Sequence, residues 1–382
     1  MKISLYIANM AYKYGGTESY TANLLQALQA ISRDYEISII TEYYKDTKKL
    51  TSEEMAQRLN DAYGVSVSSN KLSIEYIETK EYKNRIEYRR FEKTLQSITK
   101  KFDLFIYCSR GLITGRAKKN IAVIHFPMER KVTFPTYRKL PFLKPLAIKS
   151  DNAFKNNYDF FIPNSNFTSY WLKQKWNISD DKIKVLYPPV TLVKMKAEKK
   201  PNQIFVCSRI EKSKKIDDLI KAYSNSKILD HHCSLTIAGS IKNESAEYKE
   251  YLTGINPNVN FVFEPSRAQI EQLYSESEIF WHAKGYGEEN PYNMEHFGIT
   301  TVEAMSAGCI PIVINKGGQP EIVKEGTGFT WDTIEELTEK TEQLINLTEK
   351  NKKDISLAAM ERSKYFDTEH FTEQLKKLLE KL

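Results

Sequence analysis

Two glutamates, Glu295 and Glu303, are separated by seven residues and enclose a Gly-Ile-Thr-Thr turn at the start of a predicted helix. The first N–H groups of a helix have no partner within it, and together with the helix dipole they stabilise a phosphate. Carboxylates beside such a turn can accept hydrogen bonds from sugar hydroxyls. The pattern therefore suits a nucleotide sugar, although a solvated helix with two chance glutamates is the usual explanation for such a pair.

The residues around this pair follow the order of a known family. After the second glutamate come Ala304-Met305, a Gly-Cys-Ile-Pro run and a Gly-Gly-Gln turn. The stretch resembles the E-x7-E signature of retaining glycosyltransferases with the GT-B fold, in glycosyltransferase family 4. The resemblance implies that Glu303 holds the ribose hydroxyls of the donor and that Glu295 faces the donor sugar. By the same resemblance, the donor site also includes Phe297, Gly298, Ile299, Thr300 and Thr301.

Two cations, Arg209 and Lys214, follow the first predicted strand of the second half of the chain. They resemble the Arg-x4-Lys pair of the same family, whose positive charges neutralise the donor diphosphate and stabilise the departing nucleoside diphosphate. The family usually has glycine after this lysine, whereas Lys215 stands there in this chain. Either Lys214 or Lys215 could therefore be the diphosphate ligand. A lone lysine-rich turn would more often be a solvated loop.

Gly15 and Gly16 follow the first predicted strand and open a helix, where glycines let a ligand approach the backbone closely. A plain tight turn is the more common meaning of Gly-Gly. The turn lacks the G-x-G-x-x-G spacing of dinucleotide-binding proteins, which counts against NAD or FAD. In the family that the chain resembles, this turn lies over the donor diphosphate and near the acceptor.

His125 ends a predicted strand in a Val-Ile-His-Phe-Pro run. A lone histidine in such a run is more often a hydrogen-bonded core residue than a catalyst. The resemblance implies a contact with the donor sugar, because family members often have a histidine at this point. The Asn164-Ser165-Asn166 turn also follows a strand and resembles a family turn, although helix capping by Ser165 or Asn166 would explain it equally well.

Short apolar runs typical of strands alternate with amphipathic helical stretches along the whole chain. Strands are predicted at residues 3–8, 36–41, 72–77, 104–108, 121–125, 160–163 and 183–187, and then at 204–208, 234–238, 260–263, 279–282 and 310–314. Helices are predicted at residues 17–31, 84–102, 215–224, 267–275, 301–306, 334–347 and 368–382. This alternation predicts an α/β protein with parallel sheets.

The series of strands restarts near residue 203, after Pro188-Pro189 and a lysine-rich stretch at 193–202 that is predicted to be a linker. We therefore expect two Rossmann-like domains facing a central cleft, which is also the GT-B layout that the resemblance implies. The N-terminal, acceptor-binding domain is predicted at residues 1–192 and the nucleotide-sugar-binding domain at 193–365. A C-terminal helix at 366–382 could cross back to the first domain.

The length of 382 residues, 41% of them hydrophobic, is enough for two cores. The four cysteines lie far apart, mostly in or beside apolar runs, and show neither C-x-x-C nor metal-site spacing. Buried free thiols in a reducing cytoplasm are therefore expected. The N-terminus reads as a strand rather than a signal peptide, and no window has the ~20 apolar residues of a membrane span.

Charge is divided unevenly, since residues 1–190 have a net charge of +12 and residues 191–382 a net charge of −5. A basic face attracts lipid headgroups, diphosphates or nucleic acid, or is simply soluble. The segment from Arg130 to Lys149 mixes basic and aromatic side chains, which suits peripheral contact with the inner face of a membrane as well as it suits a packed loop. No motif that reads nucleic acid is present, so no nucleic-acid partner is expected.

These observations predict a hexosyltransferase that moves a sugar, with retention, from a nucleoside diphosphate to a glycan, a lipid-linked acceptor or a surface polymer. The His-Phe-Pro and Glu-His-Phe-Gly runs are similar to mannosyltransferase-like members and favour GDP-mannose over a UDP-sugar. The chain contains no Asp-x-Asp motif, by which many GT-A enzymes bind a metal. Arg209 and Lys214 could replace that metal, so neither a metal nor another cofactor is expected.

Three alternatives remain open. A UDP-sugar-dependent transferase (of glucose, GlcNAc or galactose) would use the same motifs. A GT-B phosphorylase would need a pyridoxal phosphate lysine and is usually far longer. A non-catalytic nucleotide-sugar-binding module would not need both diphosphate cations and the carboxylate that faces the sugar.

Overall fold

The computed structural model describes residues 1–12, 15–45, 47–79, 85–109, 113–127, 144–241 and 246–382. These residues form two units with separate hydrophobic cores. The first unit consists of Met1–Pro189 together with Phe371–Leu382, and the second of Val190–His370. Each unit is built around one parallel sheet.

The sheet of the first unit contains six strands in the described residues. They are β1 (Lys2–Tyr6), β2 (Glu36–Tyr43), β3 (Leu72–Glu78), β4 (Leu104–Tyr107), β5 (Lys119–Ile124) and β6 (Phe160–Pro163). The helices between them are α1 (Gly16–Ile31), α2 (Ser52–Tyr63), α3 (Arg85–Thr99), α4 (Lys144–Asn157) and α5 (Asn166–Trp176). The strand order is β3-β2-β1-β4-β5-β6.

The sheet of the second unit also has six described strands, in the order β12-β11-β10-β7-β8-β9. They are β7 (Lys200–Cys207), β8 (Ser234–Gly239), β9 (Asn260–Phe263), β10 (Ser277–His282), β11 (Ile310–Ile314) and β12 (Phe329–Trp331). The helices are α6 (Ile216–Asn225), α7 (Lys227–His232), α8 (Ala246–Ile255), α9 (Arg267–Glu276), α10 (Ile299–Ser306), α11 (Gln319–Ile322), α12 (Ile334–Ile345) and α13 (Glu349–Ser363). The last helix, α14 (Thr368–Leu379), follows them in the chain, but from Phe371 onward it belongs to the first unit.

Both sheets have the Rossmann strand order, and every strand pairing between the described strands is parallel. Helices on both faces bury such strands completely, which explains why β4 and β11 are continuous apolar runs without an exposed residue. The strand order reverses between β1 and β4 in the first sheet and between β7 and β10 in the second. The prediction of an α/β protein with two Rossmann-like sheets is confirmed.

Because side chains alternate along each strand, the strands of the first sheet contribute residues to two hydrophobic clusters, one on each face of the sheet. Ile3 and Leu5 belong to one hydrophobic cluster, which also contains Phe371, whereas Tyr6 belongs to the cluster on the other side. In that second cluster the Tyr6 and Tyr107 rings stack with centroids 5.8 Å apart. The core of the first unit is therefore rich in aromatic rings at the reversal point of its strand order.

Some predicted elements are wrong. The strand predicted at 183–187 is not a regular strand and forms one isolated bridge, between Phe161 and Ile183, although the Lys184 and Leu186 N–H groups still donate to carbonyl oxygens of β6. Pro188-Pro189 follow directly and cannot donate to a ladder. The predicted linker is also wrong in part, since β7 begins at Lys200. Val193 is 3% exposed, and its N–H donates to Ser306 Oγ at 2.8 Å. This stretch therefore packs on the second unit.

Several elements were not predicted from the sequence: α2, α4, α5, α7, α8, α11, α13 and the three-residue β12. Helix α2 begins with a capping box, in which Thr51 Oγ1 accepts from the Glu54 N–H and the Glu54 carboxylate accepts from the Thr51 N–H. That signal is readable in the sequence. The apolar residues of α13 do not gather on one face of the helix, so its sequence is hard to distinguish from a polar loop.

Candidate functional site

The carboxylate of Glu295 lies in a cluster of charged groups beyond the carboxyl ends of β7 and β10. These two strands are neighbours at the point where the strand order reverses, which is where open α/β sheets bind ligands. The Oε2 atom of Glu295 is surrounded by three nitrogen atoms: Nζ of Lys214 at 3.1 Å, Nε2 of His282 at 3.5 Å and Nζ of Lys284 at 3.8 Å. The structure thus brings together Glu295 and Lys214, which belong to two separate motifs 81 residues apart in the sequence.

The charges of this cluster are held in one state at neutral pH. Burial raises the pKa of the Glu295 carboxyl. Lys214, His282 and Lys284 together lower it by more than burial raises it, so this pKa lies well below its usual range. Burial lowers the pKa of His282, although Glu295 opposes the change. Glu295 is therefore ionised and His282 is neutral at pH 7, so that two ammonium groups face one carboxylate.

The helix α10, which carries Glu303, begins immediately after Gly298. The backbone of Gly298 has φ +135°, which disfavours any other residue, and an added β-carbon would lie 2.5 Å from Gln319 Nε2. Gly298 has no side chain to cap α10, and the N–H groups of Thr301 and Val302 donate to the Gly298 carbonyl oxygen. The N–H groups of Ile299 and Thr300 precede them in the first turn, where uncapped N–H groups are able to bind an anion. Thr301 is buried in this turn, and its hydroxyl donates to Gln319 Oε1 at 2.9 Å.

The Gly317-Gly318 turn after β11 fixes the backbone of Glu295. The Gly318 N–H donates to the Glu295 carbonyl oxygen at 2.8 Å. Gly317 has φ +67°, and a β-carbon there would lie 2.0 Å from the same carbonyl oxygen. The two glycines therefore permit an approach between two backbone segments that no larger residue would allow.

Glu303 has partners of its own on α9. Its Oε1 atom lies 2.5 Å from Arg267 Nη1, and its Oε2 atom accepts from the Tyr274 hydroxyl at 3.2 Å. Burial lowers the pKa of Arg267, but the Glu303 and Glu271 carboxylates together raise it by more, so the guanidinium remains charged. Since a carboxylate has about four lone-pair sites, two of them remain for another donor.

Lys215 differs from its neighbour Lys214 in direction and backbone conformation. Its backbone has φ +57°, in the left-handed region, and its Nζ atom lies 2.8 Å from Glu288 Oε1. A glycine at this position, as in the family that the chain resembles, would adopt this backbone without strain. Lys214, not Lys215, faces Glu295. Arg209 is half exposed, and its Nη1 atom lies 3.2 Å from Glu211 Oε2.

Phe297 is buried directly before Gly298, and Ile299 and Thr300 are the first two residues of α10. The other predicted site residues, Gly15, Gly16 and His125, belong to the first unit. His125 directly follows β5; its ring meets the Tyr20 ring edge-on with centroids 5.3 Å apart, and its carbonyl oxygen accepts from Thr168 Oγ1. Gly15 and Gly16 are exposed at the start of α1, and Gly15 has an extended backbone. Ser165 caps α5 through a hydrogen bond that its Oγ accepts from the Thr168 N–H at 3.0 Å, in agreement with the capping explanation.

Four residues of the cluster around the glutamates were not given a role from the sequence: His282, Lys284, Arg267 and Tyr274. His282 is the last residue of a predicted strand and Lys284 lies two residues later, at the edge where ligands bind, so their position was a usable signal. The pairing of Arg267 with a glutamate 36 residues later has no local sequence pattern. Of the predicted membrane-contact segment, residues 130–143 lie outside the described residues.

Two further results concern the described part of the chain only. No group of three or more His, Cys, Asp or Glu side chains within it has the arrangement of a metal site. None of its helices is long and apolar enough to span a membrane.

Protein-family comparisons match almost the whole chain. Residues 192–360 match the family described as Glycosyl transferases group 1, and residues 14–194 match Glycosyltransferase Family 4. The chain also resembles a GDP-Man:Man(3)GlcNAc(2)-PP-Dol alpha-1,2-mannosyltransferase of Dictyostelium discoideum, with 29% identity over 43% of this chain and 32% of that protein. The enzyme of the same name from Yarrowia lipolytica is 25% identical over 52% of this chain and 35% of that protein. The chain thus matches about a third of the length of these relatives.

Solved structures share the fold across the full length of the chain. The Anabaena protein Alr3699/HepE, in complex with UDP and glucose, superposes with a TM-score of 0.69 at 17% identity, with 100% of each chain covered. WaaG, a glycosyltransferase involved in lipopolysaccharide biosynthesis, gives a TM-score of 0.65 at 13% identity, with 98% of this chain and 99% of that chain covered. At such identities the likeness concerns the fold alone.

Proposed function

Because the chain belongs to the group 1 glycosyl transferases of family 4, with the GT-B fold, we propose that it transfers a hexose, with retention of configuration, from a nucleoside-diphosphate sugar to a glycan, lipid-linked or surface-polymer acceptor. The observation that carries this proposal is the Glu295 carboxylate, which is held by Lys214 beside the N-terminus of α10. An anion site and a sugar-binding carboxylate thus lie at one edge of the sheet.

In this proposal the diphosphate binds at the N-terminal turn of α10, with Lys214 and Arg209 as its cations. Transfer expels a nucleoside diphosphate, so positive groups aimed at its oxygens stabilise the charge that develops in the transition state. Arg209 is free to rotate toward the ligand because its half-exposed contact with Glu211 is weak. The cations take the place of a metal ion.

The two carboxylates have different tasks. Glu303 accepts hydrogen bonds from the ribose hydroxyls with the lone pairs that Arg267 and Tyr274 leave open. Glu295 accepts from a hydroxyl of the donor sugar and orients it, with the backbone of Phe297, Gly298, Ile299 and Thr300 along the sugar and diphosphate. Acceptor recognition is assigned to the first unit, through Gly15, Gly16 and His125.

The donor is proposed to be GDP-mannose. The names of the curated relatives support this choice, since four of the matching proteins are described as GDP-mannose-dependent mannosyltransferases. A UDP-sugar is the second candidate, because the Anabaena neighbour was crystallised with UDP and glucose. The basic first unit suits an anionic or lipid-diphosphate-linked acceptor at the inner face of a membrane.

The test is a binding and turnover screen of the purified chain against UDP-, GDP- and ADP-sugars. Isothermal titration calorimetry should find one base whose nucleotide sugar binds at micromolar to millimolar concentration, as is usual for enzyme substrates. Mass spectrometry should then detect hydrolysis or transfer, and NMR of the product should show the anomeric configuration of the donor. Binding without turnover on any acceptor class would instead support the non-catalytic module.

Two adjacent lysines provide a matched pair of variants. Lys214→Met should weaken binding of the nucleoside diphosphate by at least about tenfold, because a charge-assisted contact of about 1.5–3 kcal/mol is lost. Lys215→Met removes the same charge one residue later, where Glu288 is the partner, and should change affinity by less than about twofold. If no nucleotide sugar binds, or if the two variants lose equal affinity, the proposed diphosphate site is wrong.

A further inference from the structure

The cluster around Glu295 contains one more cation than its carboxylate needs. Lys214 and Lys284 both approach the same oxygen, Oε2, while the neutral His282 contributes no charge. We propose that Lys284 is a positioning residue, which holds the charge and the orientation of Glu295 when Lys214 turns from this carboxylate to the diphosphate of the donor. The inference rests on the proposed function above and adds a residue to it.

Lys214 is held by Glu295 in the structure. Its Nζ atom lies 3.1 Å from Glu295 Oε2, which is a hydrogen-bonding distance, and only 13% of its side chain is exposed. When it moves to a phosphate oxygen, Glu295 loses its nearest cation in a mostly buried place. Without a second cation the carboxylate would lose the orientation in which it accepts a hydrogen bond from the donor sugar, so the affinity added by the sugar would fall.

Lys284 is placed to prevent that loss. Its Nζ atom lies 3.8 Å from the same Oε2 atom, so a movement of about 1 Å would give a hydrogen-bonded ion pair. Its side chain is only 17% exposed, and it follows β10, whereas Lys214 follows β7. The two lysines therefore reach Glu295 from neighbouring strands, and one can leave without displacing the other.

The charged groups that act on Lys284 are Glu295, Lys214, Arg209 and Glu211, and the neutral His282 shares Glu295 with it. Burial lowers the pKa of Lys284, while Glu295 opposes that change and the two other cations add to it. Lys284 should thus lose its proton at a lower pH than an exposed lysine. An arginine at this position would stay charged throughout.

The first experiment separates the two lysines by titration calorimetry with UDP and GDP. Lys284→Met should leave the affinity for the preferred nucleoside diphosphate within about threefold of the wild-type value, whereas Lys214→Met should lower it by at least about tenfold. Lys316→Met is the matched control, since Lys316 lies near the same loop but donates to the Glu288 carbonyl oxygen at 3.2 Å. Equal losses in Lys284→Met and Lys214→Met would overturn the division of roles.

The second experiment is a double-mutant cycle on the affinity gained by the sugar, measured as the ratio of Kd for the nucleoside diphosphate to Kd for the nucleotide sugar. Lys284→Met should reduce this ratio by about tenfold in the wild-type background and by less than about twofold in the Glu295→Gln background. Independent, additive losses would show that Lys284 does not act through Glu295. The cycle needs no turnover.

A third readout uses the pH dependence of transfer. The alkaline limb of kcat/KM should move to higher pH in Lys284→Arg, which should also keep the sugar-dependent affinity that Lys284→Met loses. A limb that stays in place, with no rescue of affinity by arginine, would contradict the proposal. If the wild-type chain binds nucleoside diphosphates but no nucleotide sugar, the proposed function fails, and the first experiment still decides which lysine binds the diphosphate.

Discussion

The carboxyl edges of the two sheets share one strand order but carry different side chains. In the first sheet, β1 and β4 end at Tyr6 and Tyr107, whose stacked rings are buried, and His125 packs on a tyrosine ring. In the second sheet, Arg209 and Lys214 follow β7, whereas His282 is the last residue of β10 and Lys284 follows it. Within the described residues, the same backbone topology therefore supports one edge of packed aromatic rings and one edge of charged groups.

This difference shows that the strand order determines where a ligand can bind but not which ligand binds. In the second unit, ion pairs among Glu295, Glu303, Lys214 and Arg267 hold the polar side chains in place before any ligand arrives. Preorganised dipoles and charges of this kind need little reorganisation during a reaction. In the first unit, ring packing gives rigidity, and the exposed Gly15-Gly16 turn offers backbone rather than charge.

The largest effect is expected from Glu295→Gln, which keeps the shape of the side chain and removes its charge. Transfer should fall by about 10²-fold or more, because two buried lysines lose their carboxylate and the sugar loses a charged acceptor. Steady-state kinetics and thermal unfolding should be measured together. Glu288→Gln, which also faces a lysine, is the control. Equal losses in both variants would show that Glu295 has no particular role in transfer.

A large loss of stability is expected from Gly317→Ala. The added β-carbon would clash with the Glu295 carbonyl oxygen, and the left-handed backbone adds strain, for a total of about 3 kcal/mol or more in the free energy of unfolding. Gly326→Ala has a similar φ of +78° but no atom within 4 Å, so it should cost only about 1 kcal/mol. Urea unfolding measures both. Equal costs would mean that the close approach of the two backbones does not matter.

Arg267→Met should weaken nucleotide binding by about tenfold, because Glu303 loses the charge-assisted bond that fixes its plane. The loss should appear in the Kd of the nucleoside diphosphate, with little change in kcat. Lys196→Met removes a cation from the same chain of ion pairs, at its exposed end beside Glu271, and should have almost no effect. A loss in kcat alone would place Arg267 in the chemical step instead.

In the first unit, His125→Phe tests whether the sheet edge of packed aromatic rings also contributes to the reaction. We expect kcat/KM to fall by about fivefold, which corresponds to one hydrogen bond of about 1 kcal/mol, with unchanged binding of the nucleoside diphosphate. Tyr20→Phe keeps the ring on which His125 packs and should leave transfer unchanged. Wild-type kinetics in His125→Phe would reduce this residue to a packing role and sharpen the contrast between the two edges.

The smallest expected effect is a loss of folding stability at acidic pH. Burial lowers the pKa of His296 to about 4, so the unfolded chain binds a proton between pH 6.5 and 4 that the folded chain does not. Stability should therefore fall as the pH drops, by about 1 kcal/mol between pH 7 and pH 5.5. His296→Gln should remove this part of the slope in urea unfolding, whereas the exposed His231→Gln should not. An unchanged slope in His296→Gln would contradict the assignment.

Most of the fold and part of the site could be predicted from the sequence. Strands such as Asn260–Phe263 and Ile310–Ile314 were predicted with their observed bounds, because apolar runs between turn residues are local signals. Glu295 and Lys214 were identifiable because both lie in ordered motifs after predicted strands. The strand β12 was missed because three residues are too short to show a period.

What the sequence could not provide was the choice of partners. Lys214 and Lys215 are adjacent and chemically identical, and only the left-handed backbone at Lys215 directs one toward Glu295 and the other toward Glu288. The contact between Arg267 and Glu303 joins two helices through the fold, and no spacing rule predicts it. Long-range pairing of charged side chains depends on the three-dimensional arrangement of whole elements.

The residues at the end of the chain have a consequence for the order of folding during synthesis. Phe371, Leu375 and Leu378 are buried in the core of the first unit, and the Phe371 ring meets Tyr20 edge-on at 5.7 Å. A ribosome therefore makes residues 190–370 of the second unit before it makes these three core residues of the first unit. Until then, part of the apolar surface of the first unit stays exposed, and chaperones bind to surfaces of this kind. A fragment made for separate expression of that unit would have to include residues 371–382.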